Sequence, residues 1–260
     1  MLLDGRTAIV TGAGSGVGAA SALRFAQEGA RVVCADVRPD AAKDTVRAIE
    51  RAGGTAAAVA CDVSREEDVV TAVVAAVERF GRLDIVFNNA GIPTPRLGAT
   101  LEDHTAEDFQ RLVGVNFAGV FHGCKQAVLQ FKRQGGGGVI LNTGSVAGLV
   151  AWGGSVYGAT KGAVHQLTRA VAIEGAPFGI RANAIGPAGM PLTNFMPAGG
   201  LDTSDEQALE QTVQRVAAGH PLGRAITAED CAEAALFLVS DRSANITGAV
   251  LPVDGGYVAR

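Results

Sequence analysis

Short apolar runs alternate along most of the chain with longer segments of helical periodicity. The short runs are typical of buried strands, and the longer segments repeat apolar residues three or four positions apart, as one face of a helix does. The predicted strands are residues 7–10, 31–35, 55–61, 83–87, 138–142, 180–185 and 249–253. The predicted helices are residues 17–28, 40–51, 64–80 and 155–174, with a long helix opening near 105 and a late helix opening near 227.

Three of these helices are expected to begin with a capping box. In that motif a hydroxyl side chain and an acidic side chain three residues later each bind the other's backbone N–H. The three sequences are Ser64-x-x-Glu67, Thr105-x-x-Asp108 and Thr227-x-x-Asp230.

Strands that alternate with helices predict right-handed βαβ units and a parallel sheet with helices on both faces. We therefore expect an α/β fold, a Rossmann-like doubly wound sheet of about seven strands, as one domain over the whole chain. Residues from about 186 to 219 are less periodic and contain two proline-rich patches. In such a fold, a long excursion after the carboxyl end of a strand lies over the ligand crevice and can carry substrate contacts.

Composition narrows the class of protein. With 48% apolar residues the chain is too apolar to be disordered, and its 35 glycines follow no collagen-like period. The net charge is −4 without a basic stripe, so nucleic acid is not an expected partner. The four cysteines lie far apart, which predicts neither a zinc site nor a disulfide framework. No apolar run is long enough for a membrane span and no metal-ligand cluster forms, so we expect a cytoplasmic protein without a metal.

Glycines are concentrated between the first predicted strand and the first helix, in Thr11-Gly12-Ala13-Gly14-Ser15-Gly16-Val17-Gly18. Glycines there let the backbone approach a pyrophosphate, and the N-terminus of the helix offers unpaired N–H groups and a partial positive charge. The turn therefore predicts a dinucleotide site that uses Gly12, Ser15, Gly16, Val17 and Gly18.

Asp36 ends the second predicted strand and bears on the choice of dinucleotide. A carboxylate there can accept hydrogen bonds from both ribose hydroxyls and would repel a 2′-phosphate, so NAD is expected rather than NADP. Ser15 agrees, because it stands where a basic residue could have met that phosphate. Arg38, two residues past Asp36, could partly offset the acidic charge.

Five further motifs follow the glycine turn in order. They are Asp62-Val63, Asn88-Asn89-Ala90-Gly91, Asn116, Asn142-Thr143-Gly144-Ser145 and Tyr157-Gly158-Ala159-Thr160-Lys161. With them the chain resembles the short-chain dehydrogenase/reductases over nearly its whole length. The resemblance implies that an adenine is contacted by Asp62 and Val63, and that the cofactor is walled by Asn89, Ala90 and Gly91. It also implies catalytic roles for Asn116, Ser145, Tyr157 and Lys161, with Asn116 binding a water in a proton relay.

The pair Tyr157 and Lys161 also has a chemical basis of its own. The two residues lie four apart and so share one face of a predicted helix. A free phenol has a pKa of about 10 and is a poor base near neutral pH. A nearby ammonium and a positively charged nicotinamide would lower that pKa, so that Tyr157 could take or donate the hydroxyl proton. Lys161 could also hold the nicotinamide ribose hydroxyls, which makes both residues cofactor contacts.

Ser145 follows the fifth predicted strand, where its hydroxyl can donate to the oxygen that gains charge during hydride transfer. Thr143 competes for this role, because Gly144 replaces the first serine of the family's pair. Ser145 is favoured because its spacing from Asn142 matches the family position. His165 is interpreted as an ordinary polar position of the helix rather than as a catalyst.

The stretch after the sixth strand departs from the family pattern Pro-Gly-x-x-x-Thr. It reads Pro187-Ala188-Gly189-Met190-Pro191-Leu192-Thr193, in which Ala188 is interpreted as a one-residue insertion. In the family this stretch wraps the nicotinamide amide and the pyrophosphate. The resemblance therefore implies cofactor contacts at Pro187, Gly189 and Thr193.

Apolar residues are expected to line the substrate cleft, with Arg96 as the nearby cation. They are Pro93, Pro95, Leu97, Leu149, Val150, Trp152, Met190, Leu192, Phe195 and Met196. The expected function is the NAD-dependent interconversion of a neutral, hydrophobic secondary alcohol and its ketone. Three alternatives stay open: a 3-oxoacyl-thioester (acyl-carrier-protein) reductase that uses NADPH, a methyltransferase, and a non-catalytic nucleotide-binding regulator.

Assembly is expected from two helices that carry interior glycines, at 114, 119 and 123 and at 158 and 162. Glycine inside a helix is unfavourable by about 1 kcal/mol, which close approach of another helix could offset. The resemblance implies that these helices form a dimer face within a homotetramer.

Overall fold

The computed structural model describes residues 1–95, 98–193, 195 and 205–260. Seven strands of these residues form one parallel sheet in the order β3-β2-β1-β4-β5-β6-β7, which confirms the predicted doubly wound fold. The strands are β1 Thr7–Thr11, β2 Arg31–Asp36, β3 Thr55–Ala60, β4 Ile85–Asn88, β5 Gly138–Thr143, β6 Ile180–Pro187 and β7 Val250–Val253.

Helices cover both faces of the sheet. They are α1 Gly16–Gln27, α2 Pro39–Arg51, α3 Glu66–Phe80, α4 Ala106–Val113, α5 Gly119–Gln134, α6 Ser155–Gly175, α7 Glu206–Gly219 and α8 Ala228–Val239. A π-helical turn, Gly114–Ala118, joins α4 to α5. Among the described residues, none of the helices is at once long and apolar enough to cross a membrane.

Alternate residues of the central strands pack into two separate hydrophobic cores, one on each face of the sheet. Val10 and Phe87 pack with Phe25 of α1 on one face, whereas Ile9 lies on the other face with Phe131 of α5. Because side chains of a strand alternate between its faces, the continuous apolar runs of β1 and β4 can supply both cores at once. This explains why the runs read as buried strands in the sequence.

The structure confirms two of the three predicted capping boxes. Thr105 accepts a hydrogen bond from the backbone N–H of Asp108, and Thr227 does the same for Asp230. The box at Ser64 is wrong, because α3 begins at Glu66 after Arg65, which makes no side-chain cap. Asp62 Oδ1 instead accepts the backbone N–H of Ser64 at 3.0 Å, which Glu67 would bind in a capping box, and also accepts the Ser64 hydroxyl at 2.7 Å.

The helix glycines face the chain's own interior. A Cβ at Gly119 would lie 2.7 Å from Val63 Cγ2, one at Gly158 would lie 2.9 Å from the backbone oxygen of Ala147, and one at Gly123 would overlap the side chain of Asn88. At these three positions strand and loop groups of the same chain require the glycine, rather than another helix, and the dimer face stays a prediction. The glycines make room for strand and loop groups inside one chain.

Candidate active site

The site forms where the strand order reverses, between the carboxyl ends of β1 and β4. In open parallel sheets a crevice for ligands lies at this switch point. Thr11 joins the two strands there, because its hydroxyl accepts the backbone N–H groups of Asn89 at 3.0 Å and Ala90 at 3.1 Å. The side chain of Asn89 in turn donates to the Thr11 carbonyl at 3.0 Å. The glycine turn and the segment after β4 therefore form one rigid wall.

The glycine turn leaves no room for side chains at three of its positions. A Cβ at Gly12 would lie 2.9 Å from Ala90 Cα, one at Gly14 would lie 2.8 Å from Asp36 Oδ2, and one at Gly18 would overlap the Gly12 carbonyl. Helix α1 then begins without an acidic residue in its first turn, and its cap residue Ser15 makes no side-chain cap hydrogen bond with the residues described. The backbone N–H groups of this turn are thus suited to a dinucleotide pyrophosphate.

Asp36 is buried at the end of β2 and is held by backbone groups on both sides. Its carboxylate accepts from the N–H of Gly14 at 2.8 Å and from the N–H of Arg38 at 2.9 Å. The Arg38 guanidinium donates to Ser15 Oγ at 3.2 Å, with its Nε 3.8 Å from Asp36 Oδ1. The three side chains therefore line one end of the dinucleotide crevice.

The segment after β3 is fixed against the helix that follows the π-helical turn. Asp62 accepts hydrogen bonds from the N–H and the hydroxyl of Ser64. The Val63 carbonyl lies 2.9 Å from Nδ1 of His122, and its side chain packs on Gly119 of α5. The sheet order brings these residues beside the end of β2, on the flank of the crevice expected to hold the adenine.

Lys161 and Tyr157 lie together on α6 and are both buried. Lys161 Nζ donates to the Thr143 carbonyl at 2.8 Å and lies 5.7 Å from the centroid of the Tyr157 ring. Ser145 lies close enough to Tyr157 for its hydroxyl to favour a lower pKa of the phenol. The Ser145 hydroxyl accepts from the N–H of Ala147 at 3.1 Å and donates to the Pro187 carbonyl at 3.2 Å. The predicted hydroxyl, phenol and ammonium thus form one buried group.

Burial dominates the charges of this group. It lowers the pKa of Lys161 to about 8 and raises the pKa of Tyr157 to about 12, while the hydrogen bond from Ser145 acts in the opposite direction on Tyr157. The prediction of a lowered phenol pKa includes a positively charged nicotinamide and stays a prediction; in the chain by itself the pKa of Tyr157 is raised. The reason is that removing a phenolate from water disfavours it by more than its neighbours favour it.

Thr143 and Ser145, the two candidates for the oxygen-binding hydroxyl, face different partners. The Thr143 hydroxyl donates to Asn89 Oδ1 at 3.1 Å, on the wall after β4. The Ser145 hydroxyl instead lies near enough to the phenol to favour a lower pKa of Tyr157. The geometry therefore favours Ser145 over Thr143.

Asn116 is fully buried within the π-helical turn. Its side-chain oxygen accepts the N–H of Ile92 at 2.8 Å, and its amide donates to the carbonyl of the same residue at 2.9 Å. A Cβ on Gly91 would lie 3.3 Å from Asn116 Oδ1 and 3.6 Å from Lys161 Nζ. Asn116 therefore fixes the backbone that separates it from Lys161.

Ala188, which the sequence pattern indicates as an insertion, continues the pairing of the last two strands. β6 extends to Pro187, and the N–H of Ala188 donates to the Val253 carbonyl at 3.2 Å. Beyond it, a Cβ on Gly189 would contact Val216 of α7 at 3.4 Å. Thr193 nevertheless faces the glycine turn, with its Cβ 3.7 Å from the position of a Cβ on Gly16. The extra residue is absorbed in the sheet, and Thr193 remains beside the crevice.

The substrate rim is apolar and partly open. Leu149, Val150, Trp152 and Leu192 expose large parts of their side chains, and the ring of Phe195 lies edge-on to Tyr157 with centroids 5.8 Å apart. Met190 instead packs against the core, with its sulfur 3.6 Å from that of Cys231. Pro93 and Pro95 belong to the described residues, whereas Arg96, Leu97 and Met196 lie outside them.

Sequence reasoning missed two residues at this site. Tyr257, near the carboxyl end of the chain, lies edge-on to Trp152 with ring centroids 6.2 Å apart. His165 is 2% exposed, with its Nε2 3.4 Å from the backbone nitrogen of Ser145, so its interpretation as an ordinary polar position is wrong. The available signal was the pair of glycines near Ser145, at 144 and 148, because a Cβ at either position would meet the imidazole.

Comparison with known proteins gives matches over nearly the whole chain. A family model described as "Enoyl-(Acyl carrier protein) reductase" matches residues 12–258. The chain is 42% identical to 3beta-hydroxysteroid dehydrogenase 1 of Eggerthella lenta, over 98% of this chain and 94% of that protein. It is 38% identical to a 2,5-dichloro-2,5-cyclohexadiene-1,4-diol dehydrogenase of Sphingobium indicum, over 98% and 97% of the two chains. The solved structure of levodione reductase is similar with a TM-score of 0.89 and 35% identity, over 99% of both chains.

Proposed function

Because the chain belongs to the short-chain dehydrogenase/reductases, we propose that it is an NAD-dependent oxidoreductase that interconverts a neutral, hydrophobic secondary alcohol and its ketone. Membership confirms the resemblance drawn from the sequence. It makes the protein an oxidoreductase of CH–OH groups with a nicotinamide nucleotide cofactor. The observation that carries the proposal is the buried group of Ser145, Tyr157 and Lys161 at the carboxyl edge of the sheet.

In the proposed reaction each of these side chains has one task. When bound, the nicotinamide accepts or supplies the hydride. The Tyr157 hydroxyl holds the proton that leaves or joins the substrate oxygen. Ser145 donates a hydrogen bond to that oxygen as its negative charge develops. Lys161 keeps an ammonium beside the phenol, and its other N–H groups are available to ribose hydroxyls.

We further propose that Asn116 serves proton exchange between Lys161 and solvent. Its amide binds both backbone groups of Ile92, which fixes Gly91 between the amide and the lysine. A side chain too short to hold Ile92 would release this segment. In the same proposal the cofactor is contacted by Asp62 and Val63, by Asn89, Ala90 and Gly91, and by Pro187, Gly189 and Thr193.

The preference for NAD rests on the charge at the end of β2. A 2′-phosphate would meet the buried carboxylate of Asp36, and like charges placed together without water are costly. Arg38 already donates to Ser15 and neighbours Asp36, so its charge is partly engaged. Initial rates with NADH and NADPH at equal concentration test this preference. Faster turnover with NADPH would overturn it and would favour the acyl-thioester reductase.

The substrate class rests on the apolar rim. Trp152, Leu149 and Leu192 offer no cation to a carboxylate, and similar proteins are named for a hydroxysteroid and a cyclohexadiene diol. The decisive experiment is a panel of ring-bearing secondary alcohols, dicarboxylic hydroxy acids and acyl thioesters, assayed with both cofactors. We expect the neutral ring alcohols to react fastest. A dicarboxylic acid as best substrate would contradict the proposal, and no turnover at all would favour the non-catalytic regulator.

We also propose that the protein forms a homotetramer or homodimer through α5 and α6. Large apolar side chains are exposed on these helices, with Phe121 45%, Leu129 47% and Ile173 75% exposed. Large exposed apolar side chains are favoured at an interface between copies. Light scattering that gives the mass of one chain would reject this assembly.

A further inference from the structure

A buried imidazole lies directly beneath the loop that carries Ser145. His165 is one helical turn after Lys161 on α6 and is 2% exposed. The N–H of Ser145 points to His165 Nε2 with the two nitrogens 3.4 Å apart. The loop leaves the sheet just before this contact, where the N–H of Gly144 donates to the Ile185 carbonyl at 2.8 Å. The imidazole therefore meets the backbone at Ser145, the residue whose hydroxyl influences the pKa of Tyr157.

The space around the imidazole is matched by the two glycines that flank Ser145. A Cβ at Gly144 would come closer than 3 Å to His165 Nε2, and a Cβ at Gly148 would lie 2.7 Å from its Cε1. A contact under 3.0 Å requires one partner to move. Any side chain at 144 would thus displace the imidazole or the loop. This accounts for the glycine that stands where the family's pair has a serine.

His165 is neutral in this setting. Burial is the main cause that lowers its pKa to about 4, and the charge of Lys161 adds to the effect. A neutral imidazole has one nitrogen with a free lone pair, and the N–H of Ser145 requires that this nitrogen be Nε2. The ring can therefore accept a hydrogen bond without placing a second cation beside Lys161.

We propose that His165 is a positioning residue for the alcohol–ketone reaction, in which its Nε2 fixes the backbone of Ser145 and so aims the Ser145 hydroxyl at Tyr157 and the substrate oxygen. The inference rests on the proposed function for its catalytic part. The contact among His165, Gly144 and Gly148 is a property of the folded chain and can be tested without turnover.

The first test compares two replacements of His165. His165→Leu keeps a similar volume and removes the acceptor, whereas the oxygen of His165→Gln can still accept the N–H of Ser145. Small misplacement of a catalytic group lowers rates by up to about a hundredfold. We expect His165→Leu to lower kcat by about ten- to a hundredfold with little change in substrate KM or in NADH affinity by fluorescence. His165→Gln should recover most of the loss, and the exposed neighbour Gln166→Leu should change nothing.

The second test is a double-mutant cycle on stability, measured by thermal unfolding of the protein alone. In the wild type, Gly144→Ala should lower the unfolding temperature by about 5 °C, because the methyl group meets the imidazole. In the His165→Ala background Gly144→Ala should lower the unfolding temperature much less, because the space of the imidazole is free for the methyl group.

The outcomes distinguish the contact between His165 and Gly144 from the positioning role of His165 in the reaction. An equal effect of Gly144→Ala in both backgrounds would overturn the contact, whatever the activity. Unchanged kcat in a folded His165→Leu variant, or no recovery with His165→Gln, would overturn the positioning role. If the wild type itself turned over no alcohol or ketone, the proposed function would fail, while the cycle would still report on the contact.

Discussion

Replacing Lys161 by methionine is expected to stabilise the protein at neutral pH while it removes activity. Lys161 is 2% exposed, and burial lowers its pKa from 10.5 to about 8. Since each unit corresponds to about 1.4 kcal/mol, the charged ammonium destabilises the fold by about 3 kcal/mol. Losing the hydrogen bond to the Thr143 carbonyl offsets about 1 kcal/mol of this. Lys161→Met should therefore be about 2 kcal/mol more stable at pH 7.

The extra stability of Lys161→Met over the wild type should depend on pH. The direction of this dependence follows from the number of protons that the folded and the unfolded chain bind. At pH 7 Lys161 is charged in both the folded and the unfolded chain, so the full penalty is present. Between pH 8 and pH 10.5, at about the two pKa values of Lys161, the unfolded chain binds more protons at this residue than the folded chain does. The contribution of Lys161 therefore makes the wild type more stable as pH rises. The difference in unfolding free energy between variant and wild type should thus move by about 3 kcal/mol toward the wild type by pH 10.5.

Urea unfolding at fixed protein concentration across this pH range measures the difference. Lys43→Met is the matched control, because its ammonium is exposed and its difference from the wild type should stay nearly constant. The rate of alcohol oxidation at pH 7 should fall at least about a hundredfold in Lys161→Met. A Lys161→Met variant that is less stable than the wild type by the same amount at pH 7 and pH 10.5 would refute the reasoning.

Three further predictions follow from the same structure. Tyr157→Phe should lower kcat by about 10²–10⁴ without a change in unfolding temperature, while Tyr257→Phe at the rim should leave kcat nearly intact, as steady-state rates will show. Asp36→Asn removes the charge but keeps an acceptor for Gly14, so kcat/KM with NADPH relative to NADH should rise about tenfold or more. Thr227→Ala should cost about 1 kcal/mol in urea unfolding, whereas Ser64→Ala, which caps no helix, should cost clearly less.

Features set by local chemistry could be predicted from the sequence. The strand runs, the glycine turn and the caps at Thr105 and Thr227 depend on neighbours in the chain, and each lies where its pattern indicates. The cap at Ser64 failed for a local reason as well. Asp62 takes the backbone N–H of Ser64 that Glu67 would bind, and the sequence pattern does not say which acid is nearer to it in space.

Features set by tertiary packing could not be predicted in this way. The burial of Tyr157 and Lys161 decides the direction of their pKa shifts, and spacing on a helix carries no information about burial. His165 is likewise defined by a loop that meets it from 20 residues earlier in the chain. Ala188 reads as a disruption of the family pattern, yet the edge strand accommodates it through one more backbone hydrogen bond.

The π-helical turn at Gly114–Ala118 ties the site to the outer surface of the protein. A π turn amounts to one residue more than an α-helix would hold, and each residue rotates a helix by about 100°. That extra residue turns Asn116 inward to Ile92 and also sets the direction in which Phe121 and Leu129 face outward. A deletion of one residue from Gly114–Ala118 would rotate Asn116 relative to Phe121 and Leu129. An insertion or deletion in the π-helical turn that redirects the exposed side chains of Phe121 and Leu129 will therefore also change the site at Asn116.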